Sequence, residues 1–178
     1  MAWRSLTGTE PTRPTIHILH AQSALETGHW KSVYNNNLGG SKKHGQCDWT
    51  YFTTTETFPS TIADRYLAGS KPGAEVTLVS DRGDRKVLKF AGKQPMNCFA
   101  SWETLDGAAA AQLELLLRRY PKAIEKAKAG DAAGYVHELK QGGYFSGDED
   151  DYVKNVSWLA RDYAKKLATV QLPSVVIL

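Results

Sequence analysis

Residues 21–40 read AQSALETGHWKSVYNNNLGG. A regular apolar pattern leads into a single carboxylate, Glu26, and Gly28 follows two residues later. Then come Trp30, Lys31 and the run Asn35-Asn36-Asn37 before the double glycine Gly39-Gly40. A helix that only fills a core has no need of such an ending. A helix that delivers one acid into a polar cleft does, so Glu26 is the leading candidate for a catalytic acid.

Upstream of this stretch, Pro14 suits the first turn of a helix, where its missing N–H costs nothing. Ile16, Leu19 and Ser23, with Ile18, Ala21 and Leu25, follow helical spacing. Gly28 reads as the stop. The pattern predicts a helix over Pro14–Thr27 with Glu26 in its last turn, and an irregular lead-in over residues 1–13. The partial negative charge at a helix C-terminus disfavours a second negative charge. Apolar neighbours such as Trp30 would add desolvation. Both raise a carboxyl pKa towards a group still protonated near neutral pH, able to donate a proton to a leaving oxygen. The competing reading is an ordinary solvated glutamate. Asn and Gly tolerate left-handed backbone, and Asn side chains brace loops. Residues 35–40 therefore read either as a loop folded back to position Glu26 or as a plain surface loop.

Downstream, residues 47–56 are β-prone, with Trp49, Tyr51, Phe52 and a run of threonines. Residues 59–68 form a short helix or turn, and Gly69–Gly73 a loop. Alternation over 75–80 and 86–90 about Asp81-Arg82-Gly83-Asp84 marks a hairpin, and 97–102 one more strand. The expectation is one antiparallel sheet of three or four strands. The remainder is helical. One helix covers 106–120, a second starts at Pro121 and ends by Gly130, and a third is capped by Asp131 and runs to Lys140. A fourth follows a capping box over Ser146–Glu149, with the stripe Tyr152, Val156, Leu159, Tyr163 and Leu167 facing the core. Residues 173–178 form an apolar tail, either packed on the core or an edge strand. The fold class is α+β: one domain over residues 1–178, a helical lobe with a small β-lobe at about 45–102 inserted after the first helix, and a cleft between them.

Composition narrows the class. The chain has 178 residues, enough for one real core, and a net charge of +3 with no Lys/Arg run longer than a pair. That mild charge fits a polyanionic or mixed-charge partner but carries no nucleic-acid footprint. No apolar run is long enough to span a bilayer, and the N-terminus lacks an apolar signal core. Two cysteines, Cys47 and Cys98, are too few for a CxxC metal site. They flank the β-rich segment, which leaves open a disulfide closing it or two unpaired thiols. His17 and His20 are three apart on a helix but lack a His-Glu-x-x-His motif, so they read as helix-surface residues. The acidic run Asp148–Asp151 lacks EF-hand spacing and reads as helix capping. No metal or cofactor is expected.

Ala24-Leu25-Glu26-Thr27-Gly28, followed by Trp30 and Asn36-Asn37-Leu38-Gly39, resembles the pattern around the catalytic glutamate of glycoside hydrolase family 73, the bacterial cell-wall glucosaminidases. Thr54-Thr55-Glu56 is similar to the Thr-Thr-Glu on that family's β-lobe. Cys98–Trp102 with Leu113–Leu117 is similar to its Phe-Arg-x-Tyr segment and leucine-rich helix. Gly143-Tyr144 with Tyr152 resembles its Gly-Tyr-Ala-Thr-Asp-Pro-x-Tyr motif, departing at Phe145-Ser146-Gly147 and in the lengthened acidic run. The likeness covers about residues 16–167. It implies a lysozyme-like fold and a peptidoglycan hydrolase cutting the β-1,4 bond at N-acetylglucosamine.

On that resemblance Glu26 is the general acid. Glu56 is the second carboxylate, as base for water or stabiliser of an oxocarbenium ion. A carboxyl separation of ~6.5–9.5 Å or more would imply inversion, and ~5–5.5 Å retention. Tyr144, in its glycine-flanked turn, is the preferred tyrosine for orienting the N-acetyl group or stabilising charge. Tyr152, which heads the buried stripe, is a cleft-lining candidate that core packing explains equally well. Trp30, Asn36, Asn37 and Tyr51 are candidates for substrate binding, and Trp49 for sugar stacking. Trp102 is a further stacking candidate, though core packing accounts for it and for Trp158 at least as well. The rival activities are a lytic transglycosylase or muramidase with the same glutamate and, from another class, a non-catalytic wall-binding module. The partner is the peptidoglycan glycan strand, with action in the periplasm or cell wall. Without a classical signal peptide, delivery by another route is expected, which a phage lysin or an injected antibacterial effector would fit; an added or truncated N-terminus would also explain the missing leader. The effector case would add an immunity protein.

Overall fold

The computed structural model describes residues 2–42, 48–69 and 74–168. Among these, seven helices and five strands make an α+β chain. Their order is α1 (Ala2–Thr7), α2 (Arg13–Glu26), β1 (Asp48–Tyr51), β2 (Thr54–Pro59), α3 (Ser60–Ala68), β3 (Ala74–Asp81), β4 (Arg85–Gly92), β5 (Cys98–Ser101), α4 (Leu105–Arg119), α5 (Pro121–Lys128), α6 (Ala132–Gln141) and α7 (Glu149–Ala168). The chain divides into two compact units. One is Tyr34–Glu103; the other joins Met1–Val33 to Thr104–Leu178.

The helical unit is built on one core. Ile18, Ala21 and Ala24 of α2 meet Leu116 of α4, Ile124 of α5, Tyr135 and Leu139 of α6, and Val156 and Leu159 of α7. The small residues on α2 let α7 pack closely against it. The helix starts are chemically specified. Thr12 caps α2 by accepting from the Thr15 N–H, and Thr104 caps α4 by accepting from Gly107. Asp131 caps α6 through the Gly134 N–H at 2.8 Å. At α7 the cap is Asp148, which accepts from the Asp151 N–H at 3.0 Å, so the expected box beginning at Ser146 shifts inward by two residues.

Two expectations for this unit are corrected. Residues 2–7 are helical rather than irregular. Six residues cannot hold a helix by propensity alone, but Trp3 is buried in the core and α1 packs on α4. Trp158 is 55% exposed on α7, so core packing does not account for it.

The β unit holds two sheets where one was expected. β2, β4 and β3 form an antiparallel sheet in the order β2-β4-β3, while β1 and β5 pair separately. The break lies between β4 and β5. Pro95 has no N–H to continue a ladder, and Pro95–Asn97 forms a 3₁₀ turn held by reciprocal Gln94 and Asn97 caps. Asn97, almost fully buried, also donates to the Gly92 carbonyl at 2.7 Å. The chain leaves this turn to pair with β1. Helix α3 covers the larger sheet, with Ala63 against Leu88 and Phe90. The predicted hairpin is present: Gly83 takes φ +87° and its N–H donates to Asp81 at 2.8 Å. Cys98 is buried in β5. Cys47, residues 70–73 of the predicted loop, the side chain of Trp49 and the apolar tail lie outside the described residues. No described helix is long and apolar enough to cross a membrane.

Candidate active site

Glu26 is the last residue of α2, and the chain leaves it through an unusual turn. Gly28, His29 and Trp30 follow one another with φ of +56°, +58° and +67°. Only glycine takes this conformation without strain, so His29 and Trp30 each hold a disfavoured backbone. Thr27, fully buried, fixes the exit. Its hydroxyl donates to the Ser23 carbonyl at 2.7 Å and accepts from the Trp30 N–H at 3.2 Å. The His29 N–H closes back on the Ala24 carbonyl at 2.7 Å. Glu26 is therefore set on a tightly specified helix end.

Its carboxyl is met by α7. The Tyr152 hydroxyl donates to Glu26 Oε1 at 2.5 Å. Burial pushes the Glu26 pKa up, and the Tyr152 bond pulls against that shift without cancelling it. The same surroundings raise Tyr152, first through burial and then through the Glu26 charge, so its proton stays on the phenol. Trp30, expected to desolvate Glu26, lies 39% exposed with its indole N–H donating to the Tyr163 hydroxyl at 3.1 Å. It stands edge-on to His20 at 6.1 Å.

Behind Tyr152 the turn between α6 and α7 is pinned. Gly143 takes φ +75°. Phe145 stacks on Tyr152 with centroids 4.1 Å apart and planes 11° from parallel. Lys140 crosses the turn to the Gly147 carbonyl at 2.6 Å and lies 5.0 Å above the Phe145 ring. Tyr144 points elsewhere: its hydroxyl accepts from Gln112 Nε2 at 2.9 Å, and its ring stands edge-on to Tyr120. Burial and the Glu26 charge both raise Tyr144, so it too is a neutral phenol within electrostatic reach of the acid. One layer deeper, the Tyr135 hydroxyl donates to Gln22 Oε1. Of the two tyrosines, Tyr152 is the one hydrogen-bonded to Glu26.

In the β unit, Glu56 lies on β2 opposite Leu88 of β4. It shares the half-buried face of β2 with Thr54 and Phe58. Its Oε1 is 3.9 Å from Lys42 Nζ. The ammonium also donates to the Met96 carbonyl at 2.5 Å and sits 3.7 Å above the Phe99 ring. Burial lowers the Lys42 pKa, against the opposing pull of Glu56 and Cys98. Asn35 and Asn36 take φ of +50° and +57°. The Asn36 amide donates to the carbonyls of Trp102 and Glu103 at 2.8 and 3.1 Å. Asn37, buried, donates to Ser41 and Ala100. These bonds tie the loop to β5 and its flank. Tyr51 is 39% exposed on β1.

Glu26 is thus a largely buried carboxyl at a helix end, its pKa raised by burial and one oxygen held by a phenol. Comparison with known proteins adds the family: the model for glucosaminidases, described as mannosyl-glycoprotein endo-β-N-acetylglucosaminidase, matches residues 10–171. The chain belongs to the glucosaminidase family. The resemblance to glycoside hydrolase family 73 is borne out, and the chain is a glycoside hydrolase of the endo-β-N-acetylglucosaminidase type. Peptidoglycan is a substrate consistent with that domain. No curated protein and no solved structure matches.

Sequence reasoning missed Phe145, Gln22, Gln112 and Lys42 in this glucosaminidase. Only Phe145 carried a signal, as an aromatic inside the turn already singled out. The others are ordinary helix or loop residues until the fold brings their partners. The acidic run after the turn is spent locally: Asp148 caps α7, and Glu149 pairs with His137 Nδ1 at 2.8 Å.

Proposed function

We propose that the enzyme cleaves the β-1,4 bond at N-acetylglucosamine in peptidoglycan, with Glu26 as the general acid. The hydrogen bond from Tyr152 to Glu26 Oε1, in a setting that raises the carboxyl pKa, is the observation that carries this reading. Tyr152 occupies one carboxyl oxygen as a donor. Oε2 is then the oxygen that carries the transferable proton. As the glycosidic bond breaks, that proton passes to the leaving oxygen and the new carboxylate keeps the Tyr152 bond. A bond to the charged form is stronger than one to the neutral acid, so the interaction gains strength as the reaction proceeds.

Glu56 is the second carboxylate, activating water or stabilising the oxocarbenium ion. Its nearest cation is the Lys42 ammonium, 3.9 Å away. Tyr144 stays a catalytic candidate as a neutral donor near the acid, and Trp30, Asn36, Asn37, Tyr51 and Tyr152 stay candidates for contact with the sugar. Action on this polymer places the enzyme at the cell wall or periplasm. A phage lysin or an injected antibacterial effector suits such an activity; the effector requires an inhibitor in the producing cell, detectable as a protein that co-purifies and blocks hydrolysis.

The test is digestion of purified peptidoglycan by wild type and Glu26→Gln, with products identified by mass. Reducing N-acetylglucosamine ends, lost in Glu26→Gln, support the proposal. A 1,6-anhydro end would make the enzyme a lytic transglycosylase, and a reducing N-acetylmuramic acid end a muramidase. Equal clearing of cell walls by both forms would remove Glu26 from catalysis and leave a binding module.

A further inference from the structure

Three aromatic rings of the β unit belong to neither apolar core. Tyr34 and Phe52 have centroids 5.2 Å apart, and Phe52 and Phe99 5.9 Å apart. Lys42 lies over Phe99 and reaches Glu56 at 3.9 Å. Tyr34, Phe52, Phe99, Lys42 and Glu56 therefore form one continuous row within Tyr34–Glu103. The core of this unit instead gathers about Ala63, Leu88 and Phe90. Tyr34, at the open end of the row, is 58% exposed.

Holding a tyrosine in water gains the folded state nothing, yet this one is fixed in place. The two left-handed residues that follow it, Asn35 and Asn36, are pinned to the end of β5. Trp102 N–H donates to the Asn35 carbonyl at 3.1 Å, and the Asn36 amide returns to Trp102 and Glu103. The Asn37 N–H closes the turn on the Tyr34 carbonyl at 3.0 Å. Phe52 is anchored from below by its own N–H, which donates to the Asn97 carbonyl at 3.0 Å. Strained backbone kept in order to present an exposed ring is the signature of a pre-organised contact surface.

We propose that Tyr34 and Phe52 form a sugar-stacking platform that takes a pyranose ring of the N-acetylated glycan strand. The inference rests on the glycosidase reading above and adds a binding site to it. A pyranose presents an apolar C–H face to an aromatic ring and polar edges to water, which a half-wet row of rings accommodates. Lys42 covers Phe99, so stacking is confined to Tyr34 and Phe52. The end of the row at Glu56 ties the platform to the second carboxylate.

The experiment measures chitohexaose binding by calorimetry in the Glu26→Gln protein, alone and combined with Tyr34→Ala, Phe52→Leu or Tyr34→Phe. Tyr34→Ala and Phe52→Leu should each weaken binding about five- to tenfold, with the melting temperature of Tyr34→Ala unmoved because its ring is exposed. Tyr34→Phe, which keeps the ring face, should restore the parent affinity. Unchanged affinity in Tyr34→Ala, or no binding of chitohexaose by the Glu26→Gln parent, overturns the platform. Hydrolysis of peptidoglycan by Glu26→Gln itself is a separate outcome: it would overturn the acid assignment and leave the affinity comparison readable.

Discussion

The two candidate carboxylates are held by opposite means. Glu26 sits largely out of water and is partnered by a neutral phenol on a long helix. The Glu56 side chain is 40% exposed on a strand and partnered by an ammonium 3.9 Å away. A neutral donor in a dry site satisfies a carboxyl without forcing it to ionise. The same side chain thus meets a phenol in one unit and an ammonium in the other. On the proposed function, glycoside hydrolysis asks two carboxyl groups for different roles.

The most direct way to break the contrast is to remove each charge in turn. Glu26→Gln should lower kcat on peptidoglycan by about 10²–10⁴-fold, the usual contribution of general acid–base catalysis. Glu56→Gln, acting on a more solvated group, should cost less, about tenfold to a hundredfold. Equal losses would mean that the two settings do not set the roles. A loss larger in Glu56→Gln would exchange them.

Tyr152→Phe sharpens the Glu26 side. The Tyr152 bond holds the Glu26 pKa below the value that burial alone would give. Removing it should raise that pKa further, so the acid stays protonated to higher pH. The basic limb of the kcat profile should move to higher pH, while kcat at the optimum falls about tenfold, as for a lost hydrogen bond to a charged group. A profile that stays in place would make Tyr152 a packing residue. Tyr144→Phe, whose hydroxyl is bonded to Gln112 and not to Glu26, should move the limb far less.

The same shift predicts stability. With its folded pKa raised, Glu26 binds its proton more tightly in the native state than in the unfolded one. Its contribution is fully present below the ordinary carboxylate range and is lost as pH rises through the folded pKa. Glu26→Gln, which cannot ionise, should therefore melt with wild type at about pH 4 and a few degrees above it at neutral pH. Thermal melts at the two pH values check this.

What the sequence made legible follows from range. Pro14, Gly28, Pro121 and Asp131 act on neighbours within a turn, and the helix ends they predict are where the structure has them, to within a residue or two. The place of Glu26 at a helix end was legible because Gly28 stops the helix just after it. The Tyr152 bond to Glu26 was not legible because Tyr152, Val156 and Leu159 share one stripe, and spacing alone does not separate a core residue from one with its hydroxyl on an acid. The division into two sheets depends on Pro95 and Asn97 turning the chain, and β5 meets a partner some fifty residues back. The α1 helix exists only because Trp3 finds the core. Lys42 gave no local signal, since each of its partners is brought by a different strand or turn.

The smallest expected effect tests the cation side of the contrast. Lys42 and Glu56 are half-wet and separated by 3.9 Å, a pair that solvent screens strongly. A double-mutant cycle of Lys42→Met and Glu56→Gln, read by denaturant unfolding, should give a coupling of about 0–1 kcal/mol that fades at high salt. The corresponding cycle of Glu26→Gln and Tyr152→Phe, between drier groups, should give a larger coupling that salt hardly touches. In activity the order of evidence differs. Lys42→Met should lower kcat only as far as Glu56→Gln does, and the double variant should lose no more than Glu56→Gln alone, because the lysine acts through that carboxylate. Fully multiplicative losses would mean that Lys42 meets the glycan strand itself, and the ammonium would then be a substrate contact and not a partner of Glu56 alone.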